Sequence, residues 1–201
     1  MDETFLVTNR AELCGTTTDL PRYSHESRGI RFYTFPLETR RLSGTADTLN
    51  IIVRESLLPK DDRLLAGPVR VTGELRSFNN KSGVGNRLVL TIFARELGPG
   101  TEDENHIVLT GTVCKEPTLR VTPMGREICD IILAVGRRYH RSDYIPVIAW
   151  GQQARQAAEY PVGAQITVRG RLQSRPYTKV IDGESFERLA FEVSAGDIFP
   201  L

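Results

Sequence analysis

Three arginines and a tyrosine fall on one parity of a short stretch, ITVRGRLQSRPY at 166–177. A strand turns successive side chains to opposite faces. One row is then Ile166, Val168, Gly170, Leu172 and Ser174, apolar and small. The other is Thr167, Arg169, Arg171, Gln173, Arg175 and Tyr177. Guanidinium groups interleaved with an aromatic ring suit a single strand of nucleic acid, in which every nucleotide offers a phosphate and a π-face. The plainer reading is a solvated strand face or edge protection. Three arginines sharing a face with a tyrosine favour a polyanion.

Other chemistry is poorly supplied. His25, His106 and His140 lie far apart, with no metal-ligand spacing to one another or to Cys14, Cys114 and Cys129. No nucleotide-binding, zinc-protease or serine-hydrolase motif occurs. SGVGN at 82–86 is glycine-rich but falls where a hairpin turn is expected. We therefore expect no enzyme, metal or cofactor. The formal net charge is +1, so a polyanion site must be a local patch rather than a global field. Three cysteines without a C-x-x-C imply reduced, buried thiols, and the start MDETFLVTNR lacks a signal-peptide pattern. A soluble cytoplasmic, nucleoid-associated protein is the expectation.

The elements that must position these residues come as a repeat. NRAELCG (9–15) answers NHIVLTG (105–111), Pro21 answers Pro117 and Gly29 answers Gly125, all 96 positions apart. VRVTGEL (69–75) answers ITVRGRL (166–172), and NRLVLTIFARELG (86–98) answers ERLAFEVSAGDIF (187–199), with small shifts. Duplication with loop changes produces this pattern. It predicts domains at 1–98 and 105–201 joined by a linker at 99–104.

Within the second copy, HIVLTGTV, REICDIILAV and YIPVIAW read as strands. QQARQAAEY (152–160) reads as a helix ended by Pro161 and Gly163. Two more strands follow, joined across VIDGESF with its Asp-Gly turn signal. Three strands, a short helix and two strands fit a five-stranded oligonucleotide/oligosaccharide-binding (OB) barrel. The expected fold is all-β: two tandem five-stranded OB barrels, each with a short helix between strands three and four. In the first copy, SLLPKDDRLLAG (56–67) is a weaker helix because Pro59 interrupts it.

Residues 105–199 closely resemble the bacterial single-stranded-DNA-binding proteins. The resemblance is carried by Asn105 at the first strand, Pro117 and Gly125 around the first turn, Trp150-Gly151 before the helix, and Gly170-Arg171-Leu172 in strand four. It implies base-stacking roles for Tyr139, Tyr144, Trp150 and Tyr177; Arg169, Arg171 and Arg175, on the strand face of Tyr177, and Arg137 and Arg138, beside Tyr139, are the candidates for phosphate contacts. The residues agree in part: Tyr144 and Trp150, six apart, share a strand face, and Arg137 and Arg138 adjoin Tyr139. Lys115, Arg120, Arg126, Arg141 and Arg155 are further candidates for phosphate.

The first copy departs from the pattern. Near the positions of Tyr139, Tyr144 and Trp150 it carries Ser43, Thr48 and Arg54, and it replaces Arg171 by Glu74 and Tyr177 by Asn80. Arg70, Arg76 and Phe78 remain as candidates. The first barrel is expected to bind weakly or to serve in assembly.

The resemblance further implies sequence-independent single-stranded DNA binding in replication, recombination or repair, with RNA not distinguished. It also implies a homodimer presenting four OB folds, and no membrane partner. Family members usually continue into an acidic tip that recruits replication and repair proteins. Here SAGDIFPL is only a faint echo of one, which puts such recruitment in doubt. The alternatives are a primosomal replication-restart protein of the same fold, and an OB-fold scaffold for protein partners.

Overall fold

The computed structural model describes residues 9–60, 65–81, 86–181 and 184–201, and among these the chain is all-β with one α-helix. The glycine-rich 82–85, the Asp182-Gly183 turn signal and part of the 56–67 stretch lie outside the described residues. No helix among the described residues is long and apolar enough to cross a membrane.

The strands of the first copy are β1 (Asn9–Thr17), β2 (Arg22–Ser27), β3 (Ile30–Arg40), β4 (Ala46–Arg54), β5 (Pro68–Asn79) and β6 (Leu88–Pro99). Those of the second are β7 (Glu104–Val113), β8 (Thr118–Val121), β9 (Glu127–Arg137), β10 (Arg141–Trp150), β11 (Gln165–Ile181) and β12 (Glu184–Pro200), with α1 (Gln152–Ala158) between β10 and β11.

The chain forms two compact units. One comprises Ala11–His106 and Leu172–Glu192, and is called N-terminal below. The other comprises Ile107–Arg171 and Val193–Leu201 with Met1–Arg10, and is called C-terminal. They cut the chain differently from the contiguous halves expected from the repeat. The outer part of the β11–β12 hairpin clusters with the first copy, and β11 leaves the C-terminal unit after Arg171.

In the N-terminal unit five strands close into a ring. β1 runs antiparallel to β5 and, at Thr16 and Thr17, to β3; β3 pairs β4; β4 runs parallel to β6 at Ile51–Ile92; and β6 returns to β5. β2 extends the sheet from β3. The C-terminal unit repeats this order as β7, β11, β12, β10 and β9, with the β10–β12 contact again parallel and β8 added outside β9.

A glycine sits where each ring closes. Gly15 precedes the residue of β1 that pairs both β5 and β3, and Gly111 does the same in β7. A Cβ at Gly15 would run into the Glu38 carbonyl, and one at Gly111 into the Ala134 carbonyl. Only a residue without a side chain lets the strands approach this closely.

The inward rows are those the alternation marked. Ile166 and Val168 are fully buried, as are Val69 and Val71 in the first copy. Each such side chain contributes roughly 1.5–3 kcal/mol by leaving water. Cys14 and Cys129 are buried free thiols, whereas Cys114 is exposed, contrary to the expectation of three buried ones.

Among the described residues the helix expectation holds in the second copy. Gly151, at φ 57° and ψ −127°, turns the chain out of β10. Ala154 and Ala157, three apart, then bury one face of α1. In the first copy the described part of this region begins with a short 3-10 turn, Glu55–Leu57. Leu58, before Pro59, is extended at φ −68° and ψ 137°, as a residue preceding proline is biased to be.

Candidate nucleic-acid interface

Among the described residues the β9–β10 hairpin of the C-terminal unit carries the most exposed aromatic. Its tip is a short 3-10 turn, Arg138–His140, in which Tyr139 takes left-handed backbone angles, φ 62° and ψ 38°. Tyr139 is 86% exposed, and Arg138 beside it is exposed too. Tyr144 lies further along β10 at 54% exposure, and Trp150 closes the strand at 36%. The inner row of β10, with Asp143, Ile145, Val147 and Ala149, is buried, so Tyr144 and Trp150 share the outer row. The Trp150 indole N–H donates to Ser194 Oγ at 3.2 Å, which fixes the plane of the ring.

Arg137 differs from its neighbour. Its guanidinium pairs with Asp143, a side chain fully removed from solvent. The pair recurs 96 positions earlier, where Arg41 donates to both carboxylate oxygens of buried Asp47 at 2.6 and 2.7 Å. A cation held in this way by a buried carboxylate in both copies acts first as hairpin structure. The sequence signal was available as R-x5-D at the repeat spacing.

On β11 the exposed row begins as expected. Arg169 lies over the Phe199 ring at 5.3 Å, a cation–π contact within the C-terminal unit, and Arg171 is exposed. Past Arg171 the row changes character. Gln173 is buried rather than exposed and donates to Glu192 Oε1 at 3.2 Å. Arg175 pairs with the same carboxylate at 3.4 Å. Tyr177 is half-buried. Nothing in the 166–177 stretch itself pointed to Glu192.

The candidate residues thus divide between the units. Tyr139, Tyr144, Trp150, Arg137, Arg138, Arg169 and Arg171 belong to the C-terminal unit. Arg175, Tyr177, Arg70, Arg76 and Phe78 belong to the N-terminal one. In the N-terminal unit Arg70 pairs with Glu104 at 2.7 Å, Arg76 pairs with Glu74, and Phe78 is 48% exposed. Among the additional cations, Arg120 pairs with Asp130 and Arg155 with Glu127 at 2.6 Å.

Asp47 and Tyr33 of the N-terminal unit are among the ionisable groups held away from their ordinary values by their hydrogen bonds. Burial pushes the Asp47 carboxyl up, but hydrogen bonds from Arg41 and from the Ser174 N–H and hydroxyl outweigh it and hold the group below the usual carboxylate range. The Tyr33 hydroxyl donates to Glu55 at 3.1 Å, and that bond raises its pKa.

Comparisons with known proteins bear on the family and the fold. The single-strand binding protein family matches residues 104–199. A single-stranded DNA-binding protein of Clostridium tetani is 38% identical over 101 residues, which cover 47% of this chain and 68% of that protein. Single-stranded DNA-binding protein 3 of Clostridium acetobutylicum is 39% identical over 80 residues, covering 36% of this chain and 56% of that protein. Single-stranded DNA-binding protein A of Bacillus subtilis is 36% identical over 80 residues, 46% of its length. Among solved structures, the wild-type single-stranded DNA binding protein from Thermus aquaticus superposes with a TM-score of 0.74. It is 21% identical, with 96% of this chain and 92% of that one covered, so the likeness concerns the fold. On the extent and identity of these matches, the chain belongs to the single-strand binding protein family.

Proposed function

We propose that this protein binds single-stranded DNA without sequence preference, each five-stranded ring serving as an OB barrel. The observation that carries the reading is the row of exposed aromatics Tyr139, Tyr144 and Trp150 on one hairpin, with the Arg138 cation at its tip and Arg171 in the same unit. A face that presents rings and cations in this way tracks phosphates electrostatically and stacks bases at roughly 1–3 kcal/mol each, and neither interaction distinguishes one base from another. The curated relatives that share this stretch are named for single-stranded DNA binding. The role this supports is protection of single strands during replication, recombination or repair, in the cytoplasm. A homodimer would bring four barrels to one strand.

Fluorescence titration of Trp150, the sole tryptophan, with oligo-dT at two salt concentrations tests the reading. Binding quenches the indole, and log K falls with log salt by about 0.7 for every phosphate neutralised. A titration with neither quenching nor salt dependence refutes it. Mass measurement of the free chain tests the dimer.

A further inference from the structure

The first copy lacks the aromatics of β10, yet its own face is not bare. Residues directly opposite in neighbouring strands share a face. In the N-terminal unit His25 lies opposite Phe32, Phe32 opposite Arg54, and Ile52 opposite Phe93. The result is one cluster. The Phe32 and Phe93 rings are 5.7 Å apart. Arg95 lies over Phe93 at 5.0 Å and Arg54 at 6.0 Å. On the other side of Phe32 the His25 imidazole is stacked at 4.8 Å, with 11° between the planes, and is exposed.

Set beside the second copy, this is an exchange rather than a loss. The repeat spacing takes Arg54 to Trp150, and the parallel pairs Ile52–Phe93 and Ile148–Ser194 take Phe93 to Ser194. The second copy places its aromatic on β10 and a small hydroxyl on β12. The first places the cation on β4 and the aromatic on β6.

The acid in the place of Arg171 is also not free to repel phosphate. Glu74 is paired with Arg76 and with Arg95, the latter at 3.2 Å. Arg54, Arg76 and Arg95 against Glu74 leave the cluster with a net charge of +2. Among the described residues no carboxylate pairs with Arg54, whose guanidinium lies half-buried beside the Phe93 ring. A guanidinium in this state gains from an anionic oxygen.

We propose that the N-terminal unit carries a second single-strand site of its own. In it, bases stack on His25 and on the Arg95 guanidinium, with Phe32 and Phe93 as the plates beneath, and Arg54 takes a phosphate. The proposal rests on the single-strand reading above and extends it to a copy whose family-matching positions argue against binding.

The test uses the full chain. Oligo-dT carrying 5-iodouracil is bound at low salt and photo-cross-linked, and the adducts are mapped to peptides. Adducts in peptides containing His25 or Phe93, together with those from the C-terminal unit, are expected. His25→Ala with Arg54→Gln should weaken binding of a long oligo-dT about tenfold, one stacked base being worth roughly that much, and leave Trp150 quenching at saturation unchanged. Because His25 is exposed, His25→Ala alone carries the test if the double variant does not fold. Unchanged affinity with adducts confined to the C-terminal unit overturns this proposal and leaves the single-strand reading standing. A wild-type chain that neither quenches nor cross-links overturns both.

Discussion

Asp47 of β4 binds Ser174 of β11 twice, accepting from its backbone N–H at 2.8 Å and from its hydroxyl at 2.9 Å. Arg41 completes the junction, donating to Asp47 and to the Ser174 carbonyl at 3.0 Å. A fully buried carboxylate of the first copy thereby holds the outer hairpin of the second. Nearby, Asn105 makes a reciprocal pair with the Leu172 backbone, at 2.8 and 2.9 Å.

Removing the carboxylate leaves a half-buried guanidinium and a backbone donor without their acceptor. Asp47→Ala should cost about 3 kcal/mol, the scale for breaking a buried ion pair from one side. Urea denaturation of the full chain reads this directly, and a loss below 1 kcal/mol would show that the hairpin is held elsewhere.

The same junction gives a pH dependence. The Asp47 carboxyl titrates below its ordinary value of 3.8 in the folded chain. Its contribution to stability is therefore complete above the unfolded-state value and is lost as pH falls through the lower folded-state value. Wild-type stability should drop on acidification below about pH 4 by more than that of Asp47→Asn. Parallel curves for the two proteins would remove Asp47 as the cause.

Much of the fold was legible because it follows local rules. Alternation in ITVRGRL and VRVTGEL marked Ile166, Val168, Val69 and Val71 as inward, and each is fully buried. What sequence parity could not show was long-range partnership. Gln173 stands in the arginine row but is drawn inside by Glu192, a residue nineteen positions on and on another strand. Arg137 looks like its neighbour Arg138 until Asp143 is seen to hold it. Phe93 has no aromatic counterpart in the second copy, so comparing the copies passed over it. Gln173 and Phe93 depend on which residues of neighbouring strands come to lie opposite one another, whereas the Arg137–Asp143 pair, six positions apart in one hairpin, was readable from the repeated R-x5-D.

The Arg137–Arg138–Tyr139 run should separate fold from binding. Arg137→Ala should destabilise the chain, because it uncovers the buried Asp143 carboxylate. Tyr139→Gly should do the reverse. Its left-handed backbone costs a residue bearing a Cβ about 1 kcal/mol that glycine does not incur, so stability should hold or rise. Affinity for oligo-dT should fall by roughly 1–3 kcal/mol if a base stacks on the ring. Thermal melts and Trp150 titrations on the two variants decide the matter. Equal affinity in Tyr139→Gly would dismiss the ring as a platform.

Gly111 offers a purely structural prediction. Its absent Cβ is what lets β7 meet the Ala134 carbonyl where the C-terminal ring closes. Gly111→Val should cost about 2–3 kcal/mol through overpacking against backbone that cannot move aside. A urea midpoint equal to that of the wild type would mean that the ring opens at no cost.

Glu192 is the acid inside the arginine row, and its effect on binding has a definite sign. It is nearly buried, accepts from Gln173 and engages Arg175 at 3.4 Å, so part of the cationic field of Arg175 is cancelled before a phosphate arrives. An amide in its place keeps an acceptor for Gln173 and removes the charge. Glu192→Gln should therefore tighten oligo-dT binding at low salt by about two- to threefold. That is the modest scale of one partly exposed ion pair released. The gain should fade at high salt, where screening shortens the reach of any exposed charge to a few ångströms. Titrations of the variant and wild type across salt give both affinities and slopes. A steeper slope for the variant assigns Arg175 to phosphate, whereas identical curves would leave Arg175 and Glu192 as a pair that only braces the hairpin.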